Sequence, residues 1–199
     1  MKKRAAAFPI EELILHRWSA RAMSGEPMTQ DELMPLFEAA RWAPSSYNSQ
    51  PWRFIFGHAG STTWDRLFRL LEPVNQQWAI RGSVLMLVIS RTHFTFNNQP
   101  ARTHSFDTGA ACQNLLLQAY RQGLASHTLG GFDYDAARTS FKIPATYAIE
   151  AMIVIGKPGD PSLLPQELQA REAPVYRKPY DRNPVETFAF DGDFQEINH

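Results

Sequence analysis

Ala43-Pro44-Ser45-Ser46-Tyr47-Asn48-Ser49-Gln50-Pro51-Trp52 lies between a strongly patterned helix and an apolar strand, and the rest of the chain is organised around it. Its two prolines fix backbone dihedrals and remove two N–H donors. Its serines, asparagine and glutamine supply short polar groups that bond either to their own backbone or to a ligand. The composition fits both an ordinary capped turn and a binding loop, so a second stretch is needed to choose between them.

A pair of arginines precedes this loop, in the segment Arg17-Trp18-Ser19-Ala20-Arg21. If the first helix continues as far as Arg21, the two arginines project to the same side of it. Two guanidinium forks suit a dianionic phosphate, because their planar donors make charge-assisted hydrogen bonds to its oxygens. The alternative is a solvated basic turn without a ligand.

Together the two stretches resemble the FMN-dependent nitroreductase family, in which R-x-S-x-R and A-P-S-x-x-N-x-Q-P-W recur in this order. The resemblance covers nearly the whole chain, because it continues through Asn75-Gln76-Gln77-Trp78, Gly109-Ala110-Ala111-Cys112-Gln113-Asn114, Gly130-Gly131-Phe132-Asp133 and Arg182-Asn183-Pro184. It implies an α+β protein with the nitroreductase-like fold, in which helices wrap a central mixed β-sheet. It also implies a homodimer whose subunits exchange an extended C-terminal arm.

The resemblance further implies an FMN site at the interface of that homodimer. Arg17 and Ser19 would contact the phosphate, and Trp18 would line the ribityl side. Arg21 would place positive charge beside N1 and O2 of the flavin, where it would stabilise the reduced anion. The full set of implied cofactor-binding residues is Arg17, Trp18, Ser19, Arg21, Pro44, Ser45, Ser46, Asn48, Asn75, Gly130, Gly131 and Arg182.

Within this set, the four residues of the loop would reach the cofactor from the other subunit. Asn75 would bind the pyrimidine edge of the flavin, and the two glycines would let backbone N–H groups approach N5. Trp78 stands where certain relatives carry a lysine, and Gly130 where some carry a glutamate. Arg177 is the rival of Arg182 for the late phosphate contact.

Composition limits the classes of protein to consider. The chain has 199 residues, of which 44% are hydrophobic and 20% charged, as expected for a single soluble domain over residues 1–199. Its 20 basic and 20 acidic residues cancel, so no net field favours nucleic acid or an anionic membrane as a partner. The one cysteine, Cys112, excludes an intrachain disulfide and is expected to pack in the interior. The longest apolar run, Val84 to Ile89, is far below the ~20 residues of a membrane span, so we expect a cytoplasmic protein.

Apolar periodicity and turn residues predict the elements. Thr29-Gln30-Asp31-Glu32 has the pattern of a helix-starting capping box. The run at 84–89 is apolar on both faces, which favours a central strand. The segment at 91–106 fits either a mobile lid or a short helix over a site. We predict helices at 10–17, 29–43, 64–71, 107–122 and 134–142, strands at 52–56, 84–89 and 148–155, a frayed N-terminus at 1–8 and a Pro-rich arm without helical periodicity at 159–199.

The resemblance implies an FMN-dependent, NAD(P)H-using oxidoreductase. Hydride would pass from NADH or NADPH to flavin N5 and then, by a ping-pong scheme, to a small electron-poor acceptor such as a nitroaromatic, a quinone or an enal. No side-chain acid or base is implied, and the six histidines show no metal-ligand spacing. The alternatives are a flavin-binding or flavin-sequestering protein without turnover, and a helical interaction module without a cofactor. The physiological acceptor and the choice between NADH and NADPH stay open.

Overall fold

The computed structural model describes residues 4–172, 182–194 and 196, and a β-sheet forms its centre. The strands are β1 Trp52–His58, β2 Val84–Arg91, β3 Ala125–Leu129 and β4 Tyr147–Gly156. Within the described residues they lie in the order β1-β2-β4-β3, and each neighbouring pair is antiparallel. β2 is therefore an interior strand, and all of it except Arg91 is buried. This confirms the prediction of a central strand covered on both faces.

Helices cover both faces of this sheet, so the α+β class is confirmed. The capping box is also confirmed: Oγ1 of Thr29 accepts from the Glu32 N–H at 3.2 Å, and Oε2 of Glu32 accepts from the Thr29 N–H at 2.7 Å. In the described part of the chain the α-helices are α1 Glu12–His16, α2 Gln30–Arg41, α3 Thr62–Leu70, α4 Pro73–Ala79, α5 His104–Arg121, α6 Tyr134–Ser140 and α7 Gln166–Glu172.

The sheet differs from the mixed sheet that was expected. β1 ends at His58, which pairs with Val84 at the start of β2. The connection through α3 and α4 therefore returns the chain to the end of the sheet that it left, and this makes the two strands antiparallel.

Side chains of β2 alternate between two hydrophobic cores, as the period of a strand requires. Val84, Met86 and Val88 pack with α2 and α5 on one face. Leu85, Leu87 and Ile89 pack with α3, α4 and α6 on the other. The loop at 44–51 adjoins the first core through Ala43 and Trp52, whereas the arginine segment adjoins the second through Ala20 and Ala22.

Several elements differ from the sequence predictions. α4 was not predicted; Pro73 begins it, because proline at the first helical position sacrifices no internal hydrogen bond. β3 was missed, since its sequence Ala-Ser-His-Thr-Leu alternates poorly. α7 was missed because the Pro-rich arm suggested irregular chain. The segment at 91–106 forms a loop with an isolated bridge from His93 to Pro100, and α5 begins at its end. Among the described residues, no helix is both long and apolar enough for a bilayer crossing.

Candidate functional site

The arginine segment leaves α1 as extended chain. α1 ends at His16, and Arg17 has φ −57° and ψ 135°. The helix does not continue to Arg21, so the condition under which Arg17 and Arg21 would project to one side of it is not met. Nη1 of Arg4 donates to the carbonyls of Leu15 and Arg17 at 2.9 and 3.0 Å. These carbonyls at the helix end therefore have a hydrogen-bond donor without a further turn of helix.

A buried carboxylate fixes the far end of this segment. Glu172, at the end of α7, is only 2% exposed. Its Oε1 accepts hydrogen bonds from the N–H groups of Arg21 at 2.7 Å and Ala22 at 2.5 Å. Hydrogen bonds to an ionised acceptor are stronger than neutral ones, and more so away from water. These two bonds connect the backbone of the arginine segment to α7.

Arg17 and Arg182 line the same pocket, which has a volume of about 730 Å³. Arg4 also lines this pocket, and the rest of its wall is largely apolar and includes Phe8, Ile14 and Phe188. Arginines beside apolar walls suit a ligand that carries a phosphate on a less polar body. The structure therefore brings together two of the sequence-predicted cations. Their rival at position 177 lies outside the described residues.

A second group of predicted residues surrounds Trp78, which is buried in α4. The guanidinium carbon of Arg21 lies 5.9 Å from the centroid of the Trp78 ring, within cation–π range. Nε1 of Trp78 donates to Oδ1 of Asn75 at 3.3 Å, and Nδ2 of Asn75 donates to the Gly131 carbonyl at 3.0 Å. These contacts join Arg21, Asn75 and Gly131, from three separate parts of the chain, into one network. Gly130 adjoins it and is exposed.

The loop at 44–51 is held by α5. The Ser46 N–H donates to Oδ2 of Asp107 at 3.0 Å, and Asp107 is buried in the first turn of that helix. Oγ of Ser45 accepts from the Gln50 N–H at 3.1 Å. Ser45 therefore has the backbone-capping role that was one of the two interpretations of the loop. Pro44 and Asn48 are exposed.

Three residues of this loop have left-handed backbones: Tyr47 with φ 52°, Asn48 with φ 52° and Gln50 with φ 45°. Such a conformation costs a non-glycine residue about 1–2 kcal/mol. Tyr47 is nevertheless 79% exposed. Its ring contacts Phe94 edge-on at 5.5 Å and Phe96 in a tilted arrangement at 5.7 Å between centroids. The loop thus holds a costly shape while it presents polar groups and an aromatic ring to the outside.

One chain does not bring this loop to the arginine segment. The loop binds Asp107 at the start of α5, whereas Trp18 lines a cavity with Tyr120 near the end of the same helix. At ~1.5 Å per helical residue, these two positions of α5 are about 20 Å apart. Contact between the loop and the cofactor site of a second subunit stays a prediction.

Comparison with known proteins assigns the chain to a family. A family model described as the nitroreductase family matches residues 14–61 and 58–157, which is more than half of the sequence. The chain belongs to the nitroreductase family. The family and the α+β nitroreductase-like fold implied by the sequence resemblance are therefore confirmed, whereas the exchange of a C-terminal arm in a homodimer stays a prediction.

Solved structures of other proteins agree with this assignment to the nitroreductase family. The crystal structure of an oxidoreductase containing FMN is 40% identical, with a TM-score of 0.90 over 98% of this chain and 97% of that one. A Desulfovibrio desulfuricans protein in complex with FMN is 24% identical, with a TM-score of 0.69 over 92% and 96% of the two chains, and shows a shared fold.

A curated relative from Rhodopseudomonas palustris (strain TIE-1) is 25% identical over 150 residues, or 66% of this chain and 76% of the relative. Its name gives NADH dehydrogenase/NAD(P)H nitroreductase as a provisional activity.

Glu172 is the site residue that sequence reasoning missed in this nitroreductase family member. Its two hydrogen-bond partners lie about 150 residues earlier in the chain, so no local pattern marks it. The sequence does contain a weaker signal for α7 itself. Pro165 followed by Gln166-Glu167 is a pattern typical of a helix start, and the buried Leu168 comes directly after it.

Cys112 behaves as the sequence predicted, as a packing residue. Burial, with a smaller contribution from the negative charge of Glu150, raises the pKa of its thiol to about 12. The thiol is therefore protonated near neutral pH and is a poor nucleophile. Among the described residues, no group of three or more His, Cys, Asp or Glu side chains could hold a metal ion.

Proposed function

We propose that this chain is an FMN-dependent oxidoreductase that takes electrons from NADH or NADPH and reduces small electron-poor acceptors such as nitroaromatics, quinones or enals. The observation that carries the proposal is the convergence of Arg17 and Arg182, far apart in sequence, on one pocket. The 40% identity over 98% of the chain to an oxidoreductase containing FMN adds support.

The residues present fit the cofactor. Arg17 and Arg182 would hold its phosphate by charge-assisted hydrogen bonds, with Trp18 and Ser19 beside them. Arg21 would hold positive charge near the pyrimidine end of the flavin, where negative charge develops on reduction. Bound FMN would supply two-electron chemistry, accepting hydride from a nicotinamide and passing it to the acceptor.

Asn75 would present its amide to the same end of the ring from a fixed orientation. Its Oδ1 already accepts from Trp78 and its Nδ2 already donates to Gly131, so the side chain need not be ordered when the cofactor binds. Gly130 and Gly131 would let the backbone approach the ring closely.

The loop residues Pro44, Ser45, Ser46 and Asn48 would complete the site in a second copy of the chain. This part of the proposal is supported by their distance from the arginine segment within one chain, about 20 Å along α5. The functional unit would then be a homodimer with a site at each end of its interface. A cytoplasmic location fits the single unpaired thiol.

Purified protein is expected to be yellow, with the ~450 nm band of oxidised flavin, and to release FMN on denaturation. Under anaerobic conditions NADH or NADPH should bleach that band, and a nitroaromatic or quinone should restore it. Bleaching by neither nucleotide would favour a flavin-binding protein without turnover. Colourless protein that takes up no added FMN would contradict the proposal.

Gly131→Ala is expected to weaken FMN binding about tenfold. A Cβ at this position would lie 2.5 Å from Nδ2 of Asn75 and 2.7 Å from Oε2 of Glu72, so both side chains would have to move. The Asn75 amide would lose its bond to the Gly131 carbonyl, a loss of about 1 kcal/mol. FMN affinity is measured by quenching of free flavin fluorescence when apoprotein is titrated.

Gly109→Ala is the matched control for this variant. Gly109 is exposed in α5, and a Cβ there would have no atom within 4 Å. Equal FMN affinities in the two variants would show that the space over Gly131 does not matter for the cofactor.

A further inference from the structure

Glu72 lies beside the Asn75 and Gly131 pair. Its N–H donates to the Gly131 carbonyl at 3.1 Å, and its carbonyl accepts from the Asn75 N–H at 2.8 Å. Oε2 of Glu72 and Nδ2 of Asn75 both lie within 2.7 Å of the point where a Cβ on Gly131 would stand. The carboxylate and the amide therefore meet over the same glycine.

The carboxylate of Glu72 is available to a ligand. Glu72 occupies the N-cap position of α4, yet its side chain makes no capping hydrogen bond to that helix. The residue is exposed, so the carboxylate lies on the solvent side of the group. Within the described residues, this carboxylate takes part in no hydrogen bond or ion pair. Its charge is thus directed at whatever approaches Gly131 from solvent.

The charges around Asn75 are arranged asymmetrically. The Arg21 guanidinium lies against the ring of Trp78, which is buried and donates to Asn75. Glu72, whose carboxylate lies over Gly131, is exposed. A cofactor held by the arginines would meet positive charge at its inner edge, whereas a molecule entering from solvent would pass a negative charge.

We propose that Glu72 is a specificity-determining residue that selects electron acceptors by charge, favouring neutral and cationic aromatic acceptors over anionic ones. This inference rests on the proposed function. A carboxylate on an acceptor within several ångströms of the Glu72 carboxylate is repelled, by an amount that depends on solvent screening and corresponds to roughly a tenfold loss in affinity. The repulsion acts mainly on binding of the acceptor, so it appears in KM more than in kcat.

The test compares 4-nitrobenzamide with 4-nitrobenzoate, which differ in charge but little in shape, as acceptors of the FMN-loaded protein. Glu72→Gln keeps the size of the side chain and both backbone hydrogen bonds. We expect it to lower the ratio of kcat/KM for the neutral over the anionic acceptor about tenfold, chiefly because 4-nitrobenzoate then has a lower KM. In the original protein this ratio should shrink as salt is added, because salt screens exposed charges.

Asp31→Asn is the matched control. It removes the same charge from an exposed position in the first turn of α2, at the opposite end of that helix from the 44–51 loop. It should leave the ratio unchanged. If both variants change the ratio of kcat/KM for the neutral over the anionic acceptor equally, the effect comes from the net charge of the protein, and the proposed role of Glu72 is overturned.

A binding measurement provides a second readout that needs no turnover. Calorimetric titration of the FMN-loaded protein with benzoate and benzamide should show that Glu72→Gln tightens benzoate about tenfold and leaves benzamide unchanged. If neither nitro compound is reduced, the proposed function fails, and the benzoate titration still decides this inference. Turnover with an unchanged acceptor ratio and an unchanged benzoate affinity in Glu72→Gln overturns the inference alone.

Discussion

Arg17→Ala is expected to weaken FMN binding about a hundredfold. Arg17 lines one pocket with Arg182, and in the proposed site each guanidinium would donate to the phosphate. A hydrogen bond to a charged group contributes about 1.5–3 kcal/mol, and every ~1.4 kcal/mol is a factor of ten in affinity. The dissociation constant is measured by titrating apoprotein into FMN and following the loss of flavin fluorescence. Arg17→Lys should recover only part of the affinity, because an ammonium lacks the planar fork.

Arg121→Ala controls for the loss of one positive charge, since Arg121 is exposed in the last turn of α5. It should bind FMN as the original protein does. The thermal unfolding of Arg17→Ala is measured alongside, so that a loss of FMN affinity is separated from a loss of stability. FMN affinity unaffected by Arg17→Ala would remove this residue from the phosphate site.

The effects of Arg17→Ala and Arg182→Ala should not add in the double variant. Two donors that bind one phosphate act as a unit, so the loss of the first changes what the second contributes. This coupling would distinguish a shared anion from two independent surface cations.

Local structure followed from the sequence wherever a signal was contained in a few neighbouring residues. The capping box at Thr29 set the start of α2, and the unbroken apolar run at 84–89 identified the interior strand. The pattern R-x-S-x-R, followed by the proline-flanked polar loop, was specific enough in its order to indicate the family. These signals are local because hydrogen bonds at helix ends and the period of a strand involve residues close together in sequence.

Tertiary contacts gave no such signal. The bond from Asn75 to Gly131 joins residues 56 positions apart, and nothing in either segment indicates its partner. The contact from Arg4 to the helix-end carbonyls was also not predicted, because Arg4 lies in a stretch that was expected to be frayed. The register that sends alternate side chains of β2 into the two cores likewise depends on strand pairing.

Glu172→Ala is expected to lower the free energy of unfolding by about 2–4 kcal/mol. Its carboxylate is buried and accepts two backbone hydrogen bonds, from Arg21 and Ala22. Alanine would leave both N–H groups without this acceptor, and a buried polar group that loses its partner costs about 1–3 kcal/mol. The change is measured by urea denaturation followed by circular dichroism. Glu172→Gln, which keeps one amide oxygen as an acceptor, should lose less.

FMN affinity separates a general loss of stability from a specific loss of position. Glu172 binds the backbone of Arg21, so its removal should release the arginine segment and weaken FMN binding about tenfold, even under conditions where the variant is fully folded. Glu167→Ala, at an exposed position of the same helix, should change neither quantity. If Glu172→Ala is destabilised but binds FMN as tightly as Glu167→Ala, then α7 stabilises the fold without setting the position of the arginines. The cofactor site would then be organised by the network around Trp78 alone.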